Sequence, residues 1–317
     1  MGSGYASTLG SVFVGVLVTI YLHGIATAQY ASYYASEASN NDPLWVRLTV
    51  FTLFIGDNFH TIAIAYLGWI YLIDGYSNPA RVLEIAWPLP MSANIMALTA
   101  FIVQLFLSYR IYLFTDRNKR LLAFLVPLCI ANCCLGQGVA VKVWQADSIA
   151  QLRSAHGFLT AFLSLQVATD ILLAGCLIYI LHERKSAAFR ASERALNRLM
   201  KISLQTGLCT AIFALMCLVL WLALPKTQYY MIFGIPISRV YTCTLMDTLL
   251  SRRHLRNILQ SSGNVTDVGI FGLQDSSTLT RPSDCERRLS QRFPLSERRP
   301  VTTIQFRTSS DLELDKR

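Results

Sequence analysis

The chain has 317 residues, of which 53% are hydrophobic and 15% charged, with a mean hydropathy of +0.41 and a formal net charge of +9. A soluble domain carries about a quarter charged residues, so a chain this apolar, with its apolar residues gathered in long runs, has lipid as its main solvent. The cations flank apolar runs, a positive-inside pattern that makes nucleic acid an unneeded explanation of the basic charge.

A helix that crosses a bilayer needs about 20 mostly apolar residues. Seven windows meet that length: 9–29, 45–73, 93–114, 121–143, 159–181, 202–224 and 229–250. The expected fold is therefore all-α, a seven-transmembrane helix bundle spanning 1–251, followed by a disordered basic tail over 252–317. The first window is not read as a signal peptide, although Ala26-Thr27-Ala28 resembles a cleavage site, because no Lys or Arg precedes its apolar core. Position 6 is Ala where myristoylation needs Ser or Thr. The second window is long enough to tilt or project. Tyr and Trp gather at window edges (Tyr30, Tyr33, Tyr34, Trp45, Trp69, Tyr71, Trp87, Tyr112, Trp144, Trp221, Tyr229 and Tyr230), which reads as an aromatic belt.

The connections set the orientation. Arg117, Lys119 and Arg120 lie between windows three and four, and Arg184, Lys185, Arg190, Arg194, Arg198 and Lys201 between five and six. Arg252, Arg253 and Arg256 follow window seven. Only Arg81, Arg153 and Lys226 oppose those twelve, so the N-terminus is expected outside and the C-terminus in the cytosol. Segment 252–260 places Leu255, Ile258 and Leu259 among cations and is expected as a short amphipathic helix on the inner leaflet. Beyond about residue 261 the composition turns to Ser, Thr, Arg, Asp and Gly, the signature of disorder. There Ser290 follows Arg287-Arg288-Leu289, and Thr302 follows Arg298-Arg299-Pro300-Val301; both are phosphorylation candidates.

A charged residue at helix centre costs roughly 2.5–3.5 kcal/mol on insertion scales, so such residues are the functional candidates. Asp57, His60, Gln104, Asn132, Asp170 and Arg239 all fall near mid-window. Asp57 and His60 are three apart and share a face. Arg239 is about ten residues, some 15 Å, from either end, too deep to snorkel, and so requires Asp57 or Asp170. The set is read either as a ligand- or proton-handling centre or as an interhelical network that fixes packing. Arg110 and Asp247, near the inner ends, are switch candidates or ordinary interfacial residues. Cys133-Cys134 reads as core filling, and seven of the eight cysteines lie inside apolar runs, with no disulfide framework in the connections.

Catalysis is not expected. The five histidines lack zinc-ligand spacing and no Ser/His/Asp set stands out. Window seven holds no lysine for a retinal Schiff base, and Arg239 does not form one. No metal and no cofactor are expected.

These residues also carry a resemblance. Leu9-Gly10, Gly15, Gly24 and Gln29-Tyr30 open it; Asp57 with His60, Trp87-Pro88 and Val103-Gln104 to Tyr109-Arg110-Ile111 continue it. Asp170 with Ile171-Leu172-Leu173, Thr206-Gly207, Ser238-Arg239-Val240-Tyr241 and Leu249-Leu250-Ser251-Arg252 complete it. Over 9–257 the chain resembles a seven-helix family of mushroom-forming fungi, domain of unknown function 6534. The family pattern has Asn-Ser soon after that Tyr, where this chain has Thr242-Cys243-Thr244, and Asn where it has Leu250. The resemblance implies a multi-pass membrane protein and no activity. The functional expectation is a receptor-like or sensor protein of the plasma membrane. Its partners would be the lipid bilayer and a cytosolic signalling partner engaging 182–201 and the tail. A small-solute or ion transporter or channel, and a scaffold without ligand, are the alternatives.

Overall fold

The structure is a computed structural model that describes residues 2–36, 42–77, 84–115, 118–146, 156–186, 190–225 and 227–261. By internal contacts the chain divides into Met1–Gln274 and Asp275–Arg317, and every described residue belongs to the first unit. Ser290, Thr302 and the rest of the expected tail beyond residue 261 lie outside the described residues.

Seven long helices account for most of the described chain: α1 (Gly2–Tyr34), α2 (Leu44–Trp69), α3 (Pro88–Phe114), α4 (Lys119–Trp144), α5 (His156–Ser186), α6 (Arg190–Ala223) and α7 (Ile237–Ser261). A π-helical turn, Ile70–Asp74, continues α2, and a single turn, Met231–Gly234, precedes α7. Local chemistry explains several ends. Proline at the start of α3 gives up N–H groups that no helical carbonyl would meet. The Asn118 side chain accepts from the Arg120 N–H at 3.1 Å and caps α4.

The faces of α2 show how sequence becomes packing. Val46, Val50, Leu53, Asp57, His60, Ile64, Leu67 and Tyr71 are buried, at alternating steps of four and three. Leu44, Leu48, Phe51, Ile55, Ile62, Tyr66, Trp69 and Ile73 form an exposed stripe on the opposite side at steps of three, four and seven. A seam of this period keeps one face against its neighbours along the whole helix. Asp57 and His60 occupy two of its positions, so the register that buries the aliphatic residues also carries a carboxylate and an imidazole inside.

Contacts run from α1 to α2, α3, α4, α5, α6 and α7 in order, and α7 closes back on α1; α3 also touches α5 and α7. The outside of this ring is apolar: Phe13, Leu17, Phe124, Ile171 and Leu222 are exposed, as are their neighbours at helical spacing. In water so continuous an apolar surface would drive association; in lipid it is the solvated surface. Among the described residues five helices are long and apolar enough to cross a membrane: Thr8–Tyr34, Leu44–Asp74, Pro88–Phe114, Lys119–Trp144 and His156–Ile180; Gly207–Ala223 is apolar over a shorter run. The chain is thus a multi-pass, membrane-like helical protein. Its helices approach closely where glycines lie. A Cβ on Gly136 would stand 2.6 Å from the Ala97 Cβ and 2.8 Å from the Phe162 ring, and one on Gly207 2.6 Å from the Ala174 Cβ. Small residues at such crossings allow the backbone-to-backbone packing that holds helices together in lipid.

Five sequence expectations are corrected. The window 229–250 is not one helix: Pro236 interrupts it, and α7 begins beyond the interruption, with Arg239 N and Val240 N bonding to the Pro236 carbonyl at 2.9 and 3.2 Å. Segment 252–260 is not a separate helix, because α7 continues through it to Ser261. The connection over 182–201 is mostly helical, since α5 extends to Ser186 and α6 begins at Arg190. The aromatic belt is half interior: Tyr34, Trp45, Trp69, Trp87, Trp144 and Tyr229 are exposed, whereas Tyr30, Tyr33, Tyr71, Trp221 and Tyr230 are buried. Of the paired cysteines, Cys134 is exposed rather than core-filling and Cys133 is half-buried.

Candidate functional site

The expected single polar centre is two networks. The first joins α1, α2, α3 and α7. The α2 seam carries Asp57 inward, where Tyr30 Oη donates to Asp57 Oδ2 at 3.0 Å and Thr242 Oγ1 to Oδ1 at 3.3 Å. Arg239 forms a salt bridge through Nη1 with Asp57 Oδ1, and both side chains are fully buried. Its Nη2 donates to the Asp57 backbone carbonyl, to His60 Nδ1 at 3.0 Å and to Thr61 Oγ1 at 3.0 Å. A guanidinium has no acceptor, so His60 Nδ1 is the acceptor here. Nε2 then carries the ring proton and donates to Ser92 Oγ, 2.8 Å away. The imidazole is neutral in this arrangement, and the guanidinium is the network's one positive charge.

The second network joins α3, α4, α5 and α7 around Asp170. Tyr241 Oη donates to Asp170 Oδ2; Gln104 Nε2 and Gln166 Nε2 reach Oδ1 at 3.2 and 3.5 Å. Gln166 Nε2 also contacts Tyr241 Oη. Behind them, Asn132 Nδ2 donates to Gln104 Oε1 at 3.3 Å and to Gln166 Oε1. Gln104 and Gln166 turn their donors to the carboxylate, and Asn132 turns its donor to their oxygens. Neutral dipoles, rather than a salt bridge, surround Asp170 in these bonds. Such a network is stable in low dielectric only when each member is satisfied.

Arg239 and Tyr241 are two residues apart on α7, about 200° around the helix. One helix therefore presents a guanidinium toward α2 and a phenol toward α5. This also explains why α7 is the least apolar of the seven: Ile237 to Thr242 are all buried, and α1, α3 and α6 pack around the helix. Protein, not lipid, is its solvent.

A narrow cleft adjoins the second network, between α3, α5, α6 and α7. Val103, Arg110, Asp170, Leu177, Gly207, Tyr241 and Thr248 are among the residues lining it. It offers about 20 Å³ to the centres of water-sized spheres, room for one or two waters. Arg110 is buried there with its guanidinium carbon 5.5 Å from the centroid of the Phe114 ring, whereas Asp247 is exposed. The two switch candidates thus occupy different surroundings. Among the described residues no group of three or more His, Cys, Asp or Glu stands where it could hold a metal ion.

All six mid-window candidates are buried, and the structure assigns Asp57, His60 and Arg239 to one network and Gln104, Asn132 and Asp170 to the other. Sequence reasoning missed Tyr30, Ser92, Thr61, Gln166, Tyr241 and Thr242. Gln166 was within reach, because it lies one helical turn before Asp170 and shares its face. Tyr30 reads as a belt residue because it stands near the end of an apolar window.

No curated protein and no solved structure matches the chain. Residues 166–254, which run from Gln166 on α5 through α6 to the last part of α7 and include Asp170, Arg239 and Tyr241, match the Family of unknown function (DUF6534).

Proposed function

We propose that the chain is a seven-transmembrane, receptor-like or sensor protein of the plasma membrane, with its N-terminus outside, its C-terminus cytosolic and no catalytic activity of its own. The observation that carries this reading is the placement of two polar networks on opposite faces of α7. A rotation or shift of α7 that alters the Asp57–Arg239 bonds also alters those of Tyr241 with Asp170. Discrete hydrogen-bond sets of this kind give an element two arrangements rather than a continuum. The cleft between α3, α5, α6 and α7 offers the place where such a movement would be read by a partner. A small-solute or ion transporter is the second reading, favoured by the carboxylate of Asp170 in the cleft wall.

The experiment is a distance measurement between spin labels at positions 186 and 251, with the native cysteines replaced, in protein reconstituted into liposomes. Two distance populations are expected, with their ratio altered by Tyr241→Phe. One invariant distance would leave a scaffold. Dissipation of a sodium or proton gradient by the same liposomes would favour the transporter over the sensor.

A further inference from the structure

We propose that Asp170 is a proton-binding site, loaded through the cleft between α3, α5, α6 and α7, and that the bound proton reverses the hydrogen bond between Asp170 and Tyr241. The inference concerns what this carboxylate binds and goes beyond the sensor reading: it holds whether or not α7 moves.

Three observations converge. First, the two mid-helix carboxylates are compensated differently. Asp57 is paired with Arg239, whereas among the described residues no cation pairs with Asp170, which is buried and held by two amides and a phenol. A charge kept out of water by neutral donors alone is costly, and a proton removes it. Second, Asp170 is within reach of solution. The cleft wall runs from Val103 to Arg110 on α3, from Asp170 to Leu177 on α5 and from Tyr241 to Thr248 on α7. Seven residues along each helix make it about 10 Å long. It leads from the carboxylate toward the C-terminal ends of these helices, with room for the water that would carry a proton. Third, Tyr241 can take either role, because a phenol both donates and accepts. It now donates to Asp170 Oδ2 and meets Gln166 Nε2. With a proton on Oδ2 the carboxyl donates to Tyr241 Oη, and the phenol hydrogen turns into the cleft that Tyr241 lines. One proton enters from solution, no covalent bond breaks within the protein, and Gln104 and Gln166 keep their bonds to Oδ1. The groups around Asp170 that titrate or carry charge are otherwise engaged or remote. Arg110 stands at the far end of the cleft wall on α3, and Cys129 of α4 contacts Ser108. Asp57 and Arg239 are paired on the opposite face of α7. From α6 the wall receives Gly207 and Thr210, neither of which titrates.

The test uses the full-length protein reconstituted into liposomes. Infrared difference spectra are recorded between neutral and mildly acidic solution, a range in which exposed carboxylates stay ionised. Histidines titrate in the same range but give no carboxyl band. The wild type is expected to gain a protonated-carboxyl C=O band together with a shift of a tyrosine C–O stretch. Both should vanish in Asp170→Asn and persist in Asp247→Asn, whose side chain is exposed. Tyr241→Phe leaves the carboxylate in place and keeps the test available if Asp170→Asn does not fold. In that variant the tyrosine shift should be lost, and the midpoint of the carboxyl band should move by about one pH unit or more, the worth of one hydrogen bond to a charged group. A wild type without the carboxyl band overturns the proposal, as does a band that survives Asp170→Asn. A tyrosine shift that survives Tyr241→Phe, or a midpoint that this variant leaves unmoved, would assign the proton to another carboxyl and likewise overturn it.

Discussion

Arg239 donates to Asp57, His60 and Thr61 through its two terminal nitrogens, so its removal strands a carboxylate that is 1% exposed. Breaking such a pair from one side costs about 3–5 kcal/mol, whereas neutralising both partners costs far less. Arg239→Met is therefore expected to lower the melting temperature of the purified protein sharply, and Asp57→Asn in that background to restore part of it. If Asp57→Asn fails to rescue, the pair is not the origin of the loss. Tyr241→Phe removes a donor to Asp170 and a partner of Gln166; its expected cost is about 1–3 kcal/mol, read by the same melt. The charged members of these networks were legible in the sequence because ionised groups stand out in apolar windows. The pairing of Arg239 with Asp57 rather than Asp170 was not, because it depends on how α7 is turned. Tyr, Thr and Gln are also cheap enough in a helix that their presence signals nothing by itself.

Helix crossings make a different demand, on volume rather than charge. Gly207 faces the Ala174 Cβ across the α5–α6 contact, while Gly175 on α5 has nothing within 4 Å of a notional Cβ. Gly207→Ala is expected to destabilise the protein. Gly175→Ala should be neutral or stabilising by up to about 1 kcal/mol, through helix propensity. Equal effects of the two would show that the crossing is not tight. The long helices were legible from apolar length alone, with the ends of α2 to α5 within about five residues and those of α1, α6 and α7 off by up to about twelve. The break at Pro236 was hidden inside an apolar run. The extension of α5 to Ser186 and the start of α6 at Arg190 were hidden for the opposite reason: cations there read as a loop, although Arg, Lys, Ala and Glu are good helix formers.

For the molecule as a whole, the uneven distribution of cations leads to an expectation about topology. A cytosolic C-terminus never meets the lumenal glycosylation machinery, so the sequon Asn264-Val265-Thr266 should remain unmodified. An endoglycosidase-sensitive mass shift abolished by Asn264→Gln would reverse the orientation. On the proposed orientation the basic segment 252–317, with 12 Lys or Arg against 8 Asp or Glu, would face an anionic leaflet, where each basic residue contributes about 1 kcal/mol. A phosphate at Ser290 adds about −1.5 to −2 charges. Binding of the 252–317 peptide to anionic vesicles should therefore weaken on phosphorylation of Ser290; equal binding at physiological salt would leave the segment without that switch.

The interior position of α7 has a consequence for biogenesis. A translocon releases helices into lipid one at a time, and at that moment each helix is judged on its own surface. α7 carries Arg239, Tyr241, Thr242 and Thr248 on faces that later meet protein, and among the described residues it is not one of the five helices long and apolar enough to cross a membrane. Its entry therefore waits for α1 and α2, whose Tyr30 and Asp57 receive it, and for α5, whose Asp170 takes the phenol of Tyr241. On the proposed seven-span reading, assembly ends with a helix that does not enter the membrane unaided, and a chain that has lost Asp57 should be retained and degraded at that last step.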